Sequence, residues 1–146
     1  PGGVLLLPVL KGSIMFAADL MRRLTVPFAL DFLGVQSYDK TRPSGRLRFT
    51  MRPKAPVTGK HVVVIEDIID TGRTAAAILS LLEPERPAAL TLCALLDKPA
   101  RRETPVPLDY VGFTIDDVFV VGYGLDYDQQ GRRLPGIYTV LLDEPG

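Results

Sequence analysis

Residues 62–74, Val-Val-Val-Ile-Glu-Asp-Ile-Ile-Asp-Thr-Gly-Arg-Thr, constrain this chain more than any other stretch. The four β-branched apolar residues Val62–Ile65 suit a strand buried on both faces, as in the interior of a parallel sheet. Three carboxylates, Glu66, Asp67 and Asp70, follow within five positions, and Thr71-Gly72-Arg73-Thr74 opens an Ala-rich amphipathic stretch. A strand that ends in acids and a Gly/Thr turn at a helix N-terminus holds something at the sheet's carboxyl edge. The amides and hydroxyls of residues 71–74 suit a phosphate, because free N–H groups and the helix dipole converge there. Glu66 and Asp67 suit hydroxyl groups or a divalent cation. The ligand so described is a sugar phosphate.

The surrounding pattern makes this strand one of several. Strand signals recur at 4–9, 28–33, 47–51, 62–65, 89–96, 110–114, 118–121 and 137–142. Between the first two lies Ser13–Leu24, where Ile14, Ala17, Ala18 and Met21 repeat at helical spacing. Ala75, Ile78, Leu79 and Leu82 do the same after the opening motif, and Pro84 and Pro87 stop that helix. Strand–helix–strand alternation predicts a right-handed α/β sheet, mainly parallel. Without a repeat or an interdomain linker, residues 1–146 read as a single domain. Residues 36–46 are polar and turn-rich, either an ordinary hairpin loop or a lid over a site. Residues 97–109 read as a plain connection apart from Lys98.

Composition removes several function classes. Seventeen basic residues balance seventeen acidic ones, which gives no support to a protein that coats nucleic acid or a membrane surface. Cys93 is the only cysteine and His61 the only histidine; disulfide frameworks, Cys or His metal clusters and a Ser-His-Asp triad all lack their parts. No apolar run approaches the roughly 20 residues that span a bilayer, and Pro1-Gly2-Gly3 offers no basic leader. The expected location is cytoplasmic. The first strand begins almost at once, so the N-terminus reads as short.

Other residues could carry chemistry. Lys11-Gly12-Ser13 follows the first strand and opens the first helix, a second anion-binding turn suited to a ligand with two separated phosphate groups; its plainer reading is a helix start with a solvated lysine. Asp126 lies just past an apolar strand, as a turn former or a Mg²⁺ ligand, with Asp128 as a rival. Gly122-x-Gly124 lacks a third glycine and a following helix, so it is no dinucleotide fingerprint, and no P-loop pattern occurs. Phe119 reads most simply as a core side chain, Cys93 as a small buried hydrophobe, and His61 as a surface or capping residue.

Taken together, Val9–Ser13, Asp31-Phe32, Ser37-Tyr38, Val64–Gly72, Leu95–Lys98, Val111–Phe113 and Phe119–Tyr127 resemble, in order and over almost the whole chain, the purine phosphoribosyltransferases that use hypoxanthine and guanine. The resemblance implies the type I phosphoribosyltransferase fold, a parallel twisted sheet flanked by helices with a small hood from the C-terminal segment. It implies transfer of the 5-phosphoribosyl group of phosphoribosyl pyrophosphate (PRPP) to N9 of a 6-oxopurine, with Mg²⁺ as cofactor, in purine salvage. Asp70 would accept the purine N7 proton. Glu66 and Asp67 would hold the ribose hydroxyls and the metal, and Ile69, Asp70, Thr71, Gly72, Arg73 and Thr74 would wrap the 5′-phosphate. Lys11, Gly12 and either Arg132 or Arg133 (Arg132 preferred) would contact pyrophosphate, with the Leu10–Lys11 peptide a candidate for the cis form. Lys98 would donate to the exocyclic oxygen, Phe119 would stack on the base, Val120 would read its edge, and Asp126 would position a second metal. Ser37 and Tyr38 would sit in a lid that excludes water. Gln36, Asp39 and the Gln129-Gln130-Gly131 run depart from the family pattern, as does the lack of an N-terminal helix. The partners implied are PRPP and the purine, with neither nucleic acid nor membrane, and assembly as a homodimer or homotetramer. Rival expectations are a non-catalytic PRPP-binding regulator of the same fold and a xanthine-preferring sister enzyme.

Overall fold

The computed structural model describes residues 2–37 and 46–142. Six strands line up in the order β4 (Leu47–Met51), β3 (Leu33–Ser37), β1 (Val4–Leu10), β5 (His61–Ile69), β6 (Ala89–Asp97) and β7 (Tyr110–Thr114), while β2 (Phe28–Leu30) also pairs with β1. All these pairings are parallel except β3 with β4. Side chains alternate between the faces of each strand, so neighbouring residues feed different cores. Leu5, Leu7 and Val9 of β1 join Val62 and Val64 of β5 beneath Ala75, Ile78 and Leu82 of α2 (Arg73–Leu82). Leu6 and Ile65 instead meet Ala17 of α1 (Ile14–Arg23). The two helices therefore cover opposite faces, which is why Val62–Ile65 is apolar without alternation. Among the described residues, no helix is long and apolar enough to cross a membrane.

Four expected strands differ in extent by more than one residue. The run 28–33 divides into β2 and β3, because Asp31 turns the chain where β1 exchanges Leu30 for Leu33 as a neighbour. One Asp31 oxygen accepts the Phe32 N–H at 2.8 Å; the other accepts those of Lys54 and Ala55 at 2.7 and 2.8 Å. The strand expected at 62–65 runs on to Ile69, so Glu66 and Asp67 lie inside the sheet. The segments 118–121 and 137–142 shrink to β8 (Val120–Val121) and β9 (Tyr138–Thr139), an antiparallel pair that forms a separate small hood.

Asp31 allows a stability prediction with a definite pH sign. The Ala55 N–H first, then those of Phe32 and Lys54, hold its carboxyl below the usual range against the opposing effect of burial. A folded-state pKa below the unfolded value of about 3.9 means the stabilisation is complete above that value and disappears as pH falls through the folded one. Asp31→Ala is expected to cost about 1–3 kcal/mol at pH 7, a cost that shrinks at pH 3. Urea unfolding at the two pH values measures it; an equal cost at both would contradict the assignment.

Candidate active site

The carboxyl ends of β1, β3 and β5 open into a cleft of about 290 Å³ lined by Gly12, Val35, Glu66, Asp67, Ile68, Ile69, Asp70, Thr71, Gly72 and Thr74, among others. Parallel sheets place ligands at this edge, where strands hand over to helices. At its floor, Gly72 is the N-cap of α2 with φ +86° and offers no side-chain cap. The first-turn amides of α2 therefore keep donors for an anion. Thr71 Oγ1 accepts the Arg73 N–H at 3.3 Å, which closes the turn around that position.

Glu66 is only 5% exposed. Burial first, then the neighbouring Asp67 charge, pushes its carboxyl well above the ordinary value, and burial also raises Asp67 against the pull of the Ile68 N–H. A buried and a partly buried carboxylate, adjacent and both with raised proton affinity, are hard oxygen donors of a kind that fits a divalent cation. Among the described residues, no group of three or more His, Cys, Asp or Glu converges on one metal position; a cation here would draw further ligands from the substrate.

Above the cleft floor, Lys11 is exposed on a turn whose Leu10–Lys11 peptide bond is cis. Gly12 has no room for a side chain, since an added Cβ would overlap the Asp67 carboxylate. The hood approaches from the other side. Arg132 Nη1 donates to the Gly124 carbonyl at 2.6 Å and Nη2 lies 3.3 Å from Asp126 Oδ1, whereas Arg133 is exposed. Arg132 is thus the arginine brought toward Asp67 and Asp126, and its charge acts to lower Asp67.

Lys98 follows β6, is only 5% exposed, and holds Nζ 5.6 Å from the centre of the Phe119 ring. Phe119 is 48% exposed and meets Tyr127 edge-on at 5.8 Å, so the simple core reading of Phe119 is overturned. A half-bare aromatic face beside a buried ammonium is a place for a flat heteroaromatic ring with an acceptor edge. Val120 stands in β8, next in chain to Phe119. Cys93 is buried as expected, and His61 is exposed with Nε2 2.9 Å from Thr91 Oγ1. Ser37 ends β3, exposed; Tyr38 and most of the expected lid lie outside the described residues.

The connection 97–109 is more than a link. Its backbone clasps the turn before α2: Glu103 and Thr104 N–H groups both donate to Thr71 O at 2.9 Å, and Lys98 N–H donates to Ile69 O at 2.9 Å. Arg102 Nε donates to Asp70 O at 3.2 Å, and the same guanidinium pairs with Asp97. Arg101 Nε stands 3.2 Å from Asp70 Oδ1, an ion pair not aligned as a hydrogen bond, so this oxygen keeps its accepting capacity. Sequence reasoning missed both arginines. Their signal was position: they lie three and four residues after Lys98, just past the carboxyl end of a parallel strand.

Residues 3–128 match the family model described as a phosphoribosyl transferase domain. The chain is 45% identical over 137 residues to the hypoxanthine phosphoribosyltransferase of Haemophilus influenzae, covering 93% of this chain and 76% of that relative. It is 43% identical over 136 residues to the hypoxanthine-guanine phosphoribosyltransferase of Staphylococcus epidermidis, covering 92% and 76%. A crystal structure of a Bacillus anthracis hypoxanthine-guanine phosphoribosyltransferase superposes with TM-score 0.90 at 41% identity, covering 95% of this chain and 82% of that one. The Trypanosoma cruzi hypoxanthine phosphoribosyltransferase, in complex with the product IMP, superposes with TM-score 0.87 at 40% identity, covering 94% and 75%.

Proposed function

The chain belongs to the phosphoribosyltransferase family, as a hypoxanthine (guanine) phosphoribosyltransferase, and from that premise we propose how its residues divide the work. The reaction joins N9 of the purine to C1 of the ribose while the C1–O bond to pyrophosphate breaks, giving IMP or GMP. The observation that carries the assignment of roles is a pair of sites linked by the Lys98 N–H to Ile69 O bond: an uncapped helix start at Gly72–Thr74 beside the buried Glu66, and a buried Lys98 beside a half-exposed Phe119. The first takes the phosphoribosyl group and the second the base.

In this reading the α2 amides and the Thr71 and Thr74 hydroxyls hold the 5′-phosphate, with Arg73 adding charge, and Ile69 and Gly72 shape the turn. Glu66 and Asp67 orient the ribose hydroxyls, and Lys11, Gly12 and Arg132 hold pyrophosphate. Phe119 stacks on the purine, Lys98 donates to its 6-oxygen, and Val120 reads its edge. Adenine is disfavoured because its amino group donates where Lys98 also donates. Asp70 accepts the N7 proton, removing positive charge from the base as the new bond forms. Glu66 and Asp67 would hold one Mg²⁺ and Asp126 would position a second, and the metal would supply charge neutralisation for the pyrophosphate that leaves. Ser37 and Tyr38 belong to a closing lid, residues 1–146 form one domain, and the enzyme works in the cytoplasm as a homodimer or homotetramer.

Incubation with PRPP, Mg²⁺ and each of hypoxanthine, guanine, xanthine and adenine tests the reading. Nucleotide is expected from the 6-oxopurines hypoxanthine or guanine and not from adenine. PRPP binding without product from any base would point instead to a regulator.

A further inference from the structure

A side-chain hydrogen bond joins the hood to α1 across 104 residues: the Tyr123 hydroxyl donates to the Asp19 carboxylate. Neither residue reaches the cleft. Tyr123 is held in the left-handed region at φ +51°, between Gly122 at +103° and Gly124 at +99°, a conformation a bulky side chain adopts only where its surroundings hold it. Tyr123 packs against the cluster of Leu95, Leu96 and Leu125, against which Phe16 of α1 also packs, so hood, β6 and α1 share one apolar cluster. Burial and then the bond to Asp19 push the Tyr123 phenol up to about 12, and Asp19 is held below the usual carboxylate range, first by Tyr123 and then by Arg22. The donor thus stays protonated and the acceptor ionised throughout the neutral range.

What this contact fixes lies one residue further on. Gly124 sits so close to the pyrophosphate turn that an added Cβ would stand 2.5 Å from the Gly12 carbonyl. Its own carbonyl receives Arg132 Nη1, and Arg132 in turn pairs with Asp126. Displacing Tyr123 from α1 would therefore move the hood relative to the Lys11–Gly12 turn, and with it the purine face relative to pyrophosphate.

We propose that Asp19 and Tyr123 are a positioning pair, a clasp outside the cleft that sets the spacing between the purine-holding hood and the pyrophosphate turn. The proposal rests on the reading of the hood as the purine side. Tyr123→Phe keeps the ring and deletes only the hydroxyl. It is expected to raise the purine KM roughly tenfold, the equivalent of one hydrogen bond to a charged group, while PRPP binding, measured without purine, changes less than about twofold. Asp19→Asn should shift the same KM in the same direction by less, since an amide oxygen still accepts. Adding Asp19→Asn to Tyr123→Phe should do no further harm, because the two share one interaction. A merely structural role would lower Tm and the active fraction without changing the ratio of purine KM to PRPP affinity. If that ratio stays at the wild-type value in both variants, whether or not Tm falls, the clasp is overturned. Phe119→Ala separates this from the underlying reading. A raised purine KM there with an unmoved ratio in the clasp variants sinks the clasp alone, and an unmoved KM in Phe119→Ala sinks the purine-side assignment.

Discussion

Asp70→Asn is expected to lower kcat by about 10²- to 10⁴-fold, the range contributed by a positioned general base. PRPP affinity should stay within a few-fold. The substitution keeps shape and hydrogen-bonding reach but cannot take up a proton. In the proposed reading the donors for the 5′-phosphate are the backbone and hydroxyls of residues 71–74, a turn held by the Glu103 and Thr104 N–H groups on Thr71 O rather than by the Asp70 side chain. Arg101 supplies a comparison, because its guanidinium pairs with Asp70 Oδ1. Arg101→Gln leaves the carboxylate in place and should lose far less turnover than Asp70→Asn. Pre-steady-state nucleotide formation, together with PRPP titration, measures both quantities. Turnover that survives Asp70→Asn would move the base elsewhere; lost PRPP binding would make Asp70 a binding residue.

How much of this was legible before the fold depends on how far apart in sequence the partners lie. The β5–α2 unit could be read directly, because strand, acids, turn and helix are contiguous and each obeys a local rule. The two-sided burial of Val62 and Val64 against α2, and of Ile65 against α1, follows from the same run. The pairing of Lys98 with Phe119 came into view only through the resemblance, since periodicity alone placed Phe119 in the core and the structure leaves half of it bare. The division of 28–33 into two strands could not be read, because it depends on Asp31 reaching Lys54 and Ala55, 23 and 24 residues away. Arg101 on Asp70 and Tyr123 on Asp19 are likewise long-range pairings between polar residues that look unremarkable in their own segments. Sequence patterns report which face is buried, whereas such pairs are set by how loops return over the sheet edge.

Gly12 belongs to the same group, and its expected effect is the second large one. In sequence it reads as a residue that lets a ligand approach the backbone. In the fold the approach is already made by the protein: an added Cβ would overlap Asp67 Oδ2. Relief requires Asp67 to turn, giving up the bond its Oδ1 accepts from the Ile68 N–H at 2.8 Å, or the turn to shift against Gly124 of the hood, which lies close to the Gly12 carbonyl. Gly12→Ala is therefore expected to destabilise by about 1–3 kcal/mol, the usual cost of overfilling a packed site, with Tm falling by about 2–4 °C per kcal/mol at this chain length. Activity should fall further than stability, by about 10²-fold in kcat/KM, because a shift of about 1 Å at the turn misplaces pyrophosphate against the ribose. A second substitution identifies the cause. If the Asp67 carboxylate is the obstacle, adding Gly12→Ala to Asp67→Ala should cost little further Tm, while activity stays low because the proposed ribose and cation ligand is gone. Thermal unfolding of the three variants decides it: equal losses of Tm from Gly12→Ala with and without the carboxylate would mean that the glycine serves the turn itself and not its approach to Asp67.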